Sequence, residues 1–222
     1  NIPTKDLEIV DPMKCERRQE FIDEFYRMRQ RKGVTQGAAK RFMARRYYFA
    51  AMMLKMGEAD AMISGITQQY PAALRPVLQV IGTRPDMKHV AGLFLLIFKN
   101  EMKIFADISV NIEPTAEILS EIALMAAEEA KRWKMNPRVA MLSYSNFGAS
   151  NHVNAEKVRE AVKLIREKDP ELMVDGEMNA DVAITPELRE EHYPFSELEG
   201  SANVLVFPDL QSANISYKLV HR

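Results

Sequence analysis

Two arginines and two short polar runs carry the residue types from which an anion site could be built. Residues 64–76 read SGITQQYPAALRP. A strand-like run ends in Ser-Gly, and a helical stretch then holds Arg75 ahead of a proline. That is the layout of an anion pocket: a turn, a helix N-terminus and a fixed guanidinium. Yet the turn offers Gln68, Gln69, Tyr70 and Pro71 where a phosphate cradle would want small hydroxyls and free N–H groups. Arg29 shares a helical face with Ile22 and Phe25, so partial burial is expected. A buried guanidinium needs an anionic partner or several acceptors. For both arginines that partner is either an internal carboxylate or a ligand phosphate. The run SYSNFGAS (143–150) supplies hydroxyls and N–H groups ahead of a helix, which suits an anion seat or simply a turn with a cap.

Other chemistry is less well served. Neither G-x-x-x-x-G-K-[ST] nor G-x-G-x-x-G occurs, which excludes a P-loop and argues against a nucleotide-binding Rossmann site. His89, His152, His192 and His221 have no metal-ligand spacing, and no metal site is expected. Cys15 sits in a charged stretch with no local sign of activation. Asp175 and Glu177 flank Gly176 and could pair as acid and base, but closing a turn is the preferred reading. Asp107 is expected to satisfy backbone donors. No catalytic residue is assigned.

The elements that must position these residues alternate. Helical periodicity runs from about Glu16 to Lys32, stops at Gly33, and resumes from Thr35 to Gly57. Strands are expected at 7–10 and 59–63, and a helix begins at Pro71. Residues 90–110 read as an apolar β-hairpin turning at Asn100, and Thr115 opens a long amphipathic helix. RVAMLSYS is a strand, NAEKVREAVKLIREKD a helix, MVDGE and DVAI short strand ends, NVLVFPDL a buried strand, and the last residues a helix. The pattern predicts an α/β fold with a largely parallel sheet. In such sheets ligands bind beyond the carboxyl ends of strands, here SGIT, SYSNFGAS, DGEMN and FPDLQSAN, which suggests one shared crevice.

Composition agrees. The 222 residues are 47% hydrophobic and 27% charged with a net charge of −1, ordinary globular usage that excludes a broadly basic nucleic-acid protein. One cysteine suits a reducing cytoplasm, and no apolar run is long enough for a membrane helix. The opening in a strand-like run and the end at YKLVHR suggest a fragment of a longer chain, with residues 1–222 forming one domain of it.

Taken in order, FYRMRQRKG, GEADAMISG, LRPVLQVIGT, FADISVN, VAMLSYS, VDGE and NVLVFPDL resemble phosphate acetyltransferases of the acetyl/butyryl family across essentially the whole chain. The resemblance implies two α/β subdomains about an interdomain cleft, similar to isocitrate and isopropylmalate dehydrogenases. Two phosphate-site arginines of the family fall on Arg29 and Arg75. Its hydroxyl cluster falls on Gln69, Tyr70 and Pro71, and the lysine of its STKGSA loop is lost from Ser145–Ser150. Its catalytic Ser-Arg pair would lie past residue 222. QQYPAALRPVLQVIGTRP and SYSNFGAS look more like the C-terminal phosphotransacetylase-like domain of large bacterial malic enzymes.

In that subgroup a separate domain oxidises and decarboxylates malate with NADP and a divalent metal, Mg or Mn. The C-terminal domain senses acetyl-CoA as an effector and helps assemble a homo-oligomer. The implied effector site comprises Arg29 and Arg75 for phosphate groups, Ser143, Ser145, Asn146 and Phe147 lining the cleft, and Asn214 and Lys218 nearby. The implied partners are acetyl-CoA, the malic domain of the same chain and further copies, with no nucleic acid, no membrane and no cofactor bound within these residues. The alternatives are an active phosphate acetyltransferase and a purely structural dimerisation domain.

Overall fold

The computed structural model describes residues 7–85 and 87–221. They fall into two compact units, one through residue 84 and one from residue 85.

The first unit is helical. Helix α1 (Arg18–Arg29) buries Phe21, Ile22 and Phe25, and a 3₁₀ turn (Gln30–Lys32) carries it to Gly33. Gly33 takes the left-handed conformation (φ 82°) that ends helices at least cost for a residue without Cβ. The Thr35 hydroxyl accepts the Ala38 N–H and starts α2 (Gln36–Phe42). The single helix expected from Thr35 to Gly57 is in fact two, because the chain breaks after α2 and restarts as α3 (Arg46–Lys55). In one continuous helix Met43 and Tyr48 would point about 140° apart. With the break, both enter one core with Phe21, Phe25 and Phe49. Helix α4 (Tyr70–Val80) follows, with Pro71 in its first turn and Pro76 inside it.

Two expected strands are absent. Residues 7–10 and 59–63 are not strands, and Ile63 is fully exposed. A strand needs a neighbour to take its backbone hydrogen bonds, and none lies among the described residues of this unit.

The second unit is a five-stranded sheet with helices. Strands β1 (Leu93–Ile97) and β2 (Met102–Ala106) form the expected hairpin, and Phe98 N–H donates to the Glu101 carbonyl across its turn. Strands β3 (Val139–Leu142), β4 (Val174–Met178) and β5 (Val204–Val206) complete the order β1-β2-β5-β3-β4. Every pairing is parallel except β1 with β2. The hairpin is less buried than its composition suggests: β1 is an edge strand, and its Ile97 is 74% exposed.

Helix α5 (Ala116–Arg132), capped by the Thr115 hydroxyl, turns Leu119, Ile122, Ala123, Ala126 and Ala130 inward. Helix α6 (Val153–Lys168) turns in Val158, Ala161, Val162 and Ile165, and all join one core with Val139, Met141, Val204 and Val206. The alanines let helix and sheet approach closely, and each large aliphatic side chain contributes roughly 1.5–3 kcal/mol on burial. DVAI, expected as a strand end, is helix α7 (Ala180–Ile184), followed by α8 (Pro186–His192) and finally α9 (Leu210–Val220). Four residues, three of them apolar, are too few for periodicity to separate strand from helix. Arg189 of α8 is buried with no carboxylate ion-pair partner among the described residues. Its guanidinium donates to the carbonyls of Val182, Leu198 and Gly200, and burial pushes its pKa down.

Candidate functional site

The parallel strands of the second unit end in loops that share a cavity of about 330 Å³. Ser143 and Tyr144 follow β3, Pro208 and Asp209 follow β5, Glu113 lies in the segment after β2, and Asn154 and Lys157 come from the first turns of α6. This is the carboxyl edge at which open α/β sheets bind ligands. Lys157 Nζ donates to the Pro208 carbonyl at 2.9 Å. Burial pushes this ammonium's pKa down, against the upward pull of Asp209 and Glu113. Asp209 also caps α9 by accepting the Ser212 N–H at 2.7 Å. The expected crevice is thus formed by the loops after β2, β3 and β5. SGIT follows no strand and belongs to the first unit, while DGEMN supports a neighbouring loop from beneath.

The run 143–150 already holds an anion. Glu177, with no exposed surface, places Oε1 where the Ser145 hydroxyl donates at 2.9 Å, the Gly148 N–H at 3.0 Å and Arg159 at 2.6 Å. The Ser145 hydroxyl accepts the Ser150 N–H in turn, so this serine, 4% exposed, is committed within the loop. Asn146 Oδ1 accepts the Asn179 N–H. The Asn179 amide, oriented to satisfy its neighbours, donates to the Ser143 and Tyr144 carbonyls. Phe147, at a positive φ of 46°, packs its ring tilted against Tyr193 and edge-on to Phe195, each at 5.1 Å. Of the four residues expected from this loop, Ser143 alone lines the cavity.

The carboxylates flanking Gly176 do not pair. Asp175 accepts from Arg166, the Ser196 hydroxyl and the Glu197 N–H, while Glu177 faces Arg159. Asp107 accepts the N–H groups of Gly92, Ser109, Val110 and Asn111, the structural role expected of it. On α9, the Asn214 amide donates to the Ile108 carbonyl at 3.4 Å, and Lys218 is exposed beside its neighbour Tyr217. Sequence reasoning missed Lys157 and Tyr144 at the cavity and Arg159 on Glu177. Lys157 and Arg159 fall on a helix that reads as an ordinary charged surface helix, so no local pattern marks them.

Arg29 and Arg75 lie in the first unit, where both act on one phenol. Burial pushes the Tyr48 pKa up, and the Arg45, Arg75 and Arg29 guanidiniums pull it down. Tyr48, 4% exposed, donates to Gln79 Oε1 at 2.7 Å. Arg29 is half-buried as expected, and its Nε meets no acceptor, whereas Arg75 is exposed. Neither arginine has an ion-pair partner among the described residues. The internal carboxylate considered for them from sequence is therefore not found among those residues.

The profile of the phosphate acetyl/butaryl transferase family matches residues 1–222. The chain belongs to that family. It is 40% identical to a phosphate acetyltransferase of Thermoanaerobacterium thermosaccharolyticum over 97% of this chain and 68% of that protein. It is 42% identical to an NADP-dependent malic enzyme of Escherichia coli over 97% of this chain and 28% of that protein. In structure it is similar to the EutD phosphotransacetylase of Staphylococcus aureus, with a TM-score of 0.86 and 36% identity over 99% of this chain and 67% of that one. A phosphotransacetylase from Streptococcus pyogenes gives a TM-score of 0.88 with 39% identity over 95% of this chain and 64% of that one. The chain therefore spans about two-thirds of these transferases and under a third of the malic enzyme.

Proposed function

We propose that this chain is an acetyl-CoA-sensing domain of an NADP-dependent malic enzyme, and that it does not itself transfer acetyl groups. The observation that carries this reading is the start of α4. Its N-cap, Gln69, makes no side-chain capping bond, its first residue is Tyr70, and Pro71 removes a backbone donor from the first turn. Acyl transfer to phosphate needs the attacking oxygen held within about 3–3.5 Å of the thioester carbon, with developing charge stabilised. One strong oxyanion donor supplies roughly 2.7–4 kcal/mol, so replacing several hydroxyls by glutamine, tyrosine and proline removes most of the rate. Binding tolerates such replacement better, because CoA offers several phosphates and a long apolar arm.

In this reading Arg29 and Arg75 bind phosphate groups, Ser143 faces the ligand, and Ser145, Asn146 and Phe147 shape the loop beside it. Asn214 and Lys218 of α9 are assigned to the same proposed site. NADP and a divalent metal, Mg or Mn, serve a malate-oxidising domain of the same polypeptide. Among the described residues no three His, Cys, Asp or Glu side chains cluster to hold a metal. The protein is a cytoplasmic homo-oligomer, and acetyl-CoA regulates malate decarboxylation to pyruvate. Coupling of this kind is reciprocal, so malate or NADP must shift acetyl-CoA affinity by the same factor.

The alternative is an active phosphate acetyltransferase interconverting acetyl-CoA and acetyl phosphate. It is supported by 40% identity to an enzyme of that name across most of its length. Calorimetric titration with acetyl-CoA, followed by an assay for acetyl phosphate on the same sample, separates the two. Binding without turnover supports sensing, and turnover supports the transferase. Arg75→Ala is expected to weaken acetyl-CoA binding while the fold persists; unchanged affinity in the folded variant removes Arg75 from the site.

A further inference from the structure

We infer that Lys157 is an acyl-acceptor site: an activated acetyl group in the cavity at the carboxyl edge of the sheet is transferred to its amine and remains there as an amide. The donor is a thioester or an acyl phosphate. The thioester source rests on the acetyl-CoA reading above, and the acyl phosphate source does not. The cavity lies wholly in the second unit, and Lys157 lines it together with Ser143, Tyr144, Asn154 and Asp209. The Leu210 N–H donates to the Ile112 carbonyl at 3.1 Å, which joins the segments after β5 and β2 at its wall.

A lysine ammonium carries three donors. Lys157 Nζ commits one, to the Pro208 carbonyl, and has no ion-pair partner among the described residues. Lys103 commits all three, to the Ser201 hydroxyl at 3.1 Å and to the Ala202 carbonyl and Glu101 carboxylate at 2.9 Å. Lys163, also on α6, is 70% exposed and pairs with Glu160. Of these three, Lys157 alone combines a cavity with uncommitted donors. Burial, which lowers its pKa against the pull of Asp209 and Glu113, enlarges the share of free amine, the nucleophilic form. The acyl oxygen is provided for as well. The Ser143 hydroxyl oxygen accepts the Ser145 N–H at 3.3 Å, while its own proton and the Asn154 amide meet no acceptor among the described residues. Donors at a cavity wall stabilise the negative oxygen of a tetrahedral intermediate.

In the transfer step the Nζ lone pair of the neutral amine attacks the acetyl carbonyl carbon, and a C–N bond forms. The tetrahedral intermediate collapses with cleavage of the C–S or C–O bond. The thiolate or phosphate leaves with the bonding electron pair, and water takes the proton that the nitrogen loses. Nothing is oxidised or reduced. The acceptor is the chain's own side chain, so the event occurs once per molecule and releases no acetyl phosphate. That is consistent with a domain that lacks transferase turnover. The product is a neutral amide that no longer offsets the charges of Asp209 and Glu113, and its acetyl group occupies the cavity.

The test is incubation of the protein with acetyl-CoA, and separately with acetyl phosphate, followed by proteolysis and mass spectrometry of each lysine. Lys157 is expected to be acetylated at least about tenfold faster than Lys163 by one donor or both, because the cavity holds donor and amine together. Preference with acetyl-CoA alone assigns the thioester as donor, preference with acetyl phosphate alone assigns the acyl phosphate, and preference with both assigns either. In urea-unfolded protein the ratio should fall to about one. Lys157→Arg should abolish the fast label and Lys163→Arg should leave it unchanged, with circular dichroism reporting the fold of each. The comparison of two lysines within one wild-type chain stays decisive if a variant does not fold. A ratio below tenfold with both donors, or one that survives unfolding, overturns the inference. Fast labelling by acetyl phosphate without calorimetric binding of acetyl-CoA removes the acetyl-CoA reading and keeps Lys157 as acceptor. Acetyl-CoA binding with no preferential labelling of Lys157 by either donor does the reverse.

Discussion

Glu177 and Arg159 meet at 2.6 Å, the carboxylate with no exposed surface and the guanidinium 26% exposed. Glu177 Oε2 has no partner among the described residues, so the carboxylate's bonds to Ser145, Gly148 and Arg159 all converge on Oε1. Removing one partner from a buried pair leaves a charge without compensation, which costs about 3–5 kcal/mol. Because Arg159 keeps some contact with water, Arg159→Ala is expected near the lower end of that range. Urea unfolding measures it; a loss below about 1 kcal/mol would mean that the carboxylate is not charged or not confined as described.

Gly176 is the second point at which this loop support can be tested. Its φ is +136°, and a Cβ there would stand 2.5 Å from the Met141 carbonyl oxygen on β3. The obstacle is backbone, so no side-chain rotation relieves it. Gly176→Ala combines strain with overpacking and is expected to destabilise by roughly 2–6 kcal/mol. A melting temperature within experimental error of wild type would contradict the close β3–β4 approach.

Asp107 ties the segment after β2 to the residue before β1 through four backbone N–H groups, with oxygen distances of 2.8 to 3.1 Å. Asp107→Ala strands those donors, some of which water can reach. The expected cost is about 2–4 kcal/mol, more than a typical surface change and comparable to a core truncation. Faster amide exchange at Ser109 to Asn111 should accompany it.

Lys157 gives a pH dependence with a definite sign. Burial lowers its pKa in the folded protein below the ordinary lysine value of 10.5. Between the lowered value and 10.5 the unfolded chain binds more protons than the folded one. Stability contributed by this group therefore rises with pH through that alkaline window and is lost as pH falls through the folded pKa. Lys157→Met should flatten the rise in chemical denaturation measured across the window. A profile identical to wild type would show that Lys157 is not desolvated.

Much of this was legible in the sequence, and the exceptions have physical causes. The hairpin at 90–110, the Thr35 and Thr115 caps and the stop at Gly33 rest on local chemistry, which one sequence contains in full. The strand expected at 59–63 failed because a strand is defined by a neighbour, and no local pattern reports whether one exists. The break after Phe42 was hidden for a similar reason: Ala44 and Arg45 are compatible with helix, and only the shared core of Met43 and Tyr48 forces the turn. At the site, the polar loop 143–150 was visible, but its commitment to Glu177, about thirty residues away, was not.

The strand order carries a consequence for how the molecule is made. β5, residues 204–206, comes after the other four described strands in sequence, yet it lies between β2 and β3. Until the ribosome has released it, the hairpin β1–β2 and the pair β3–β4 have no ladder joining them. These parts of the nascent second unit must therefore wait as two partial sheets with facing edges unpaired, and they are joined only when β5 is inserted between them.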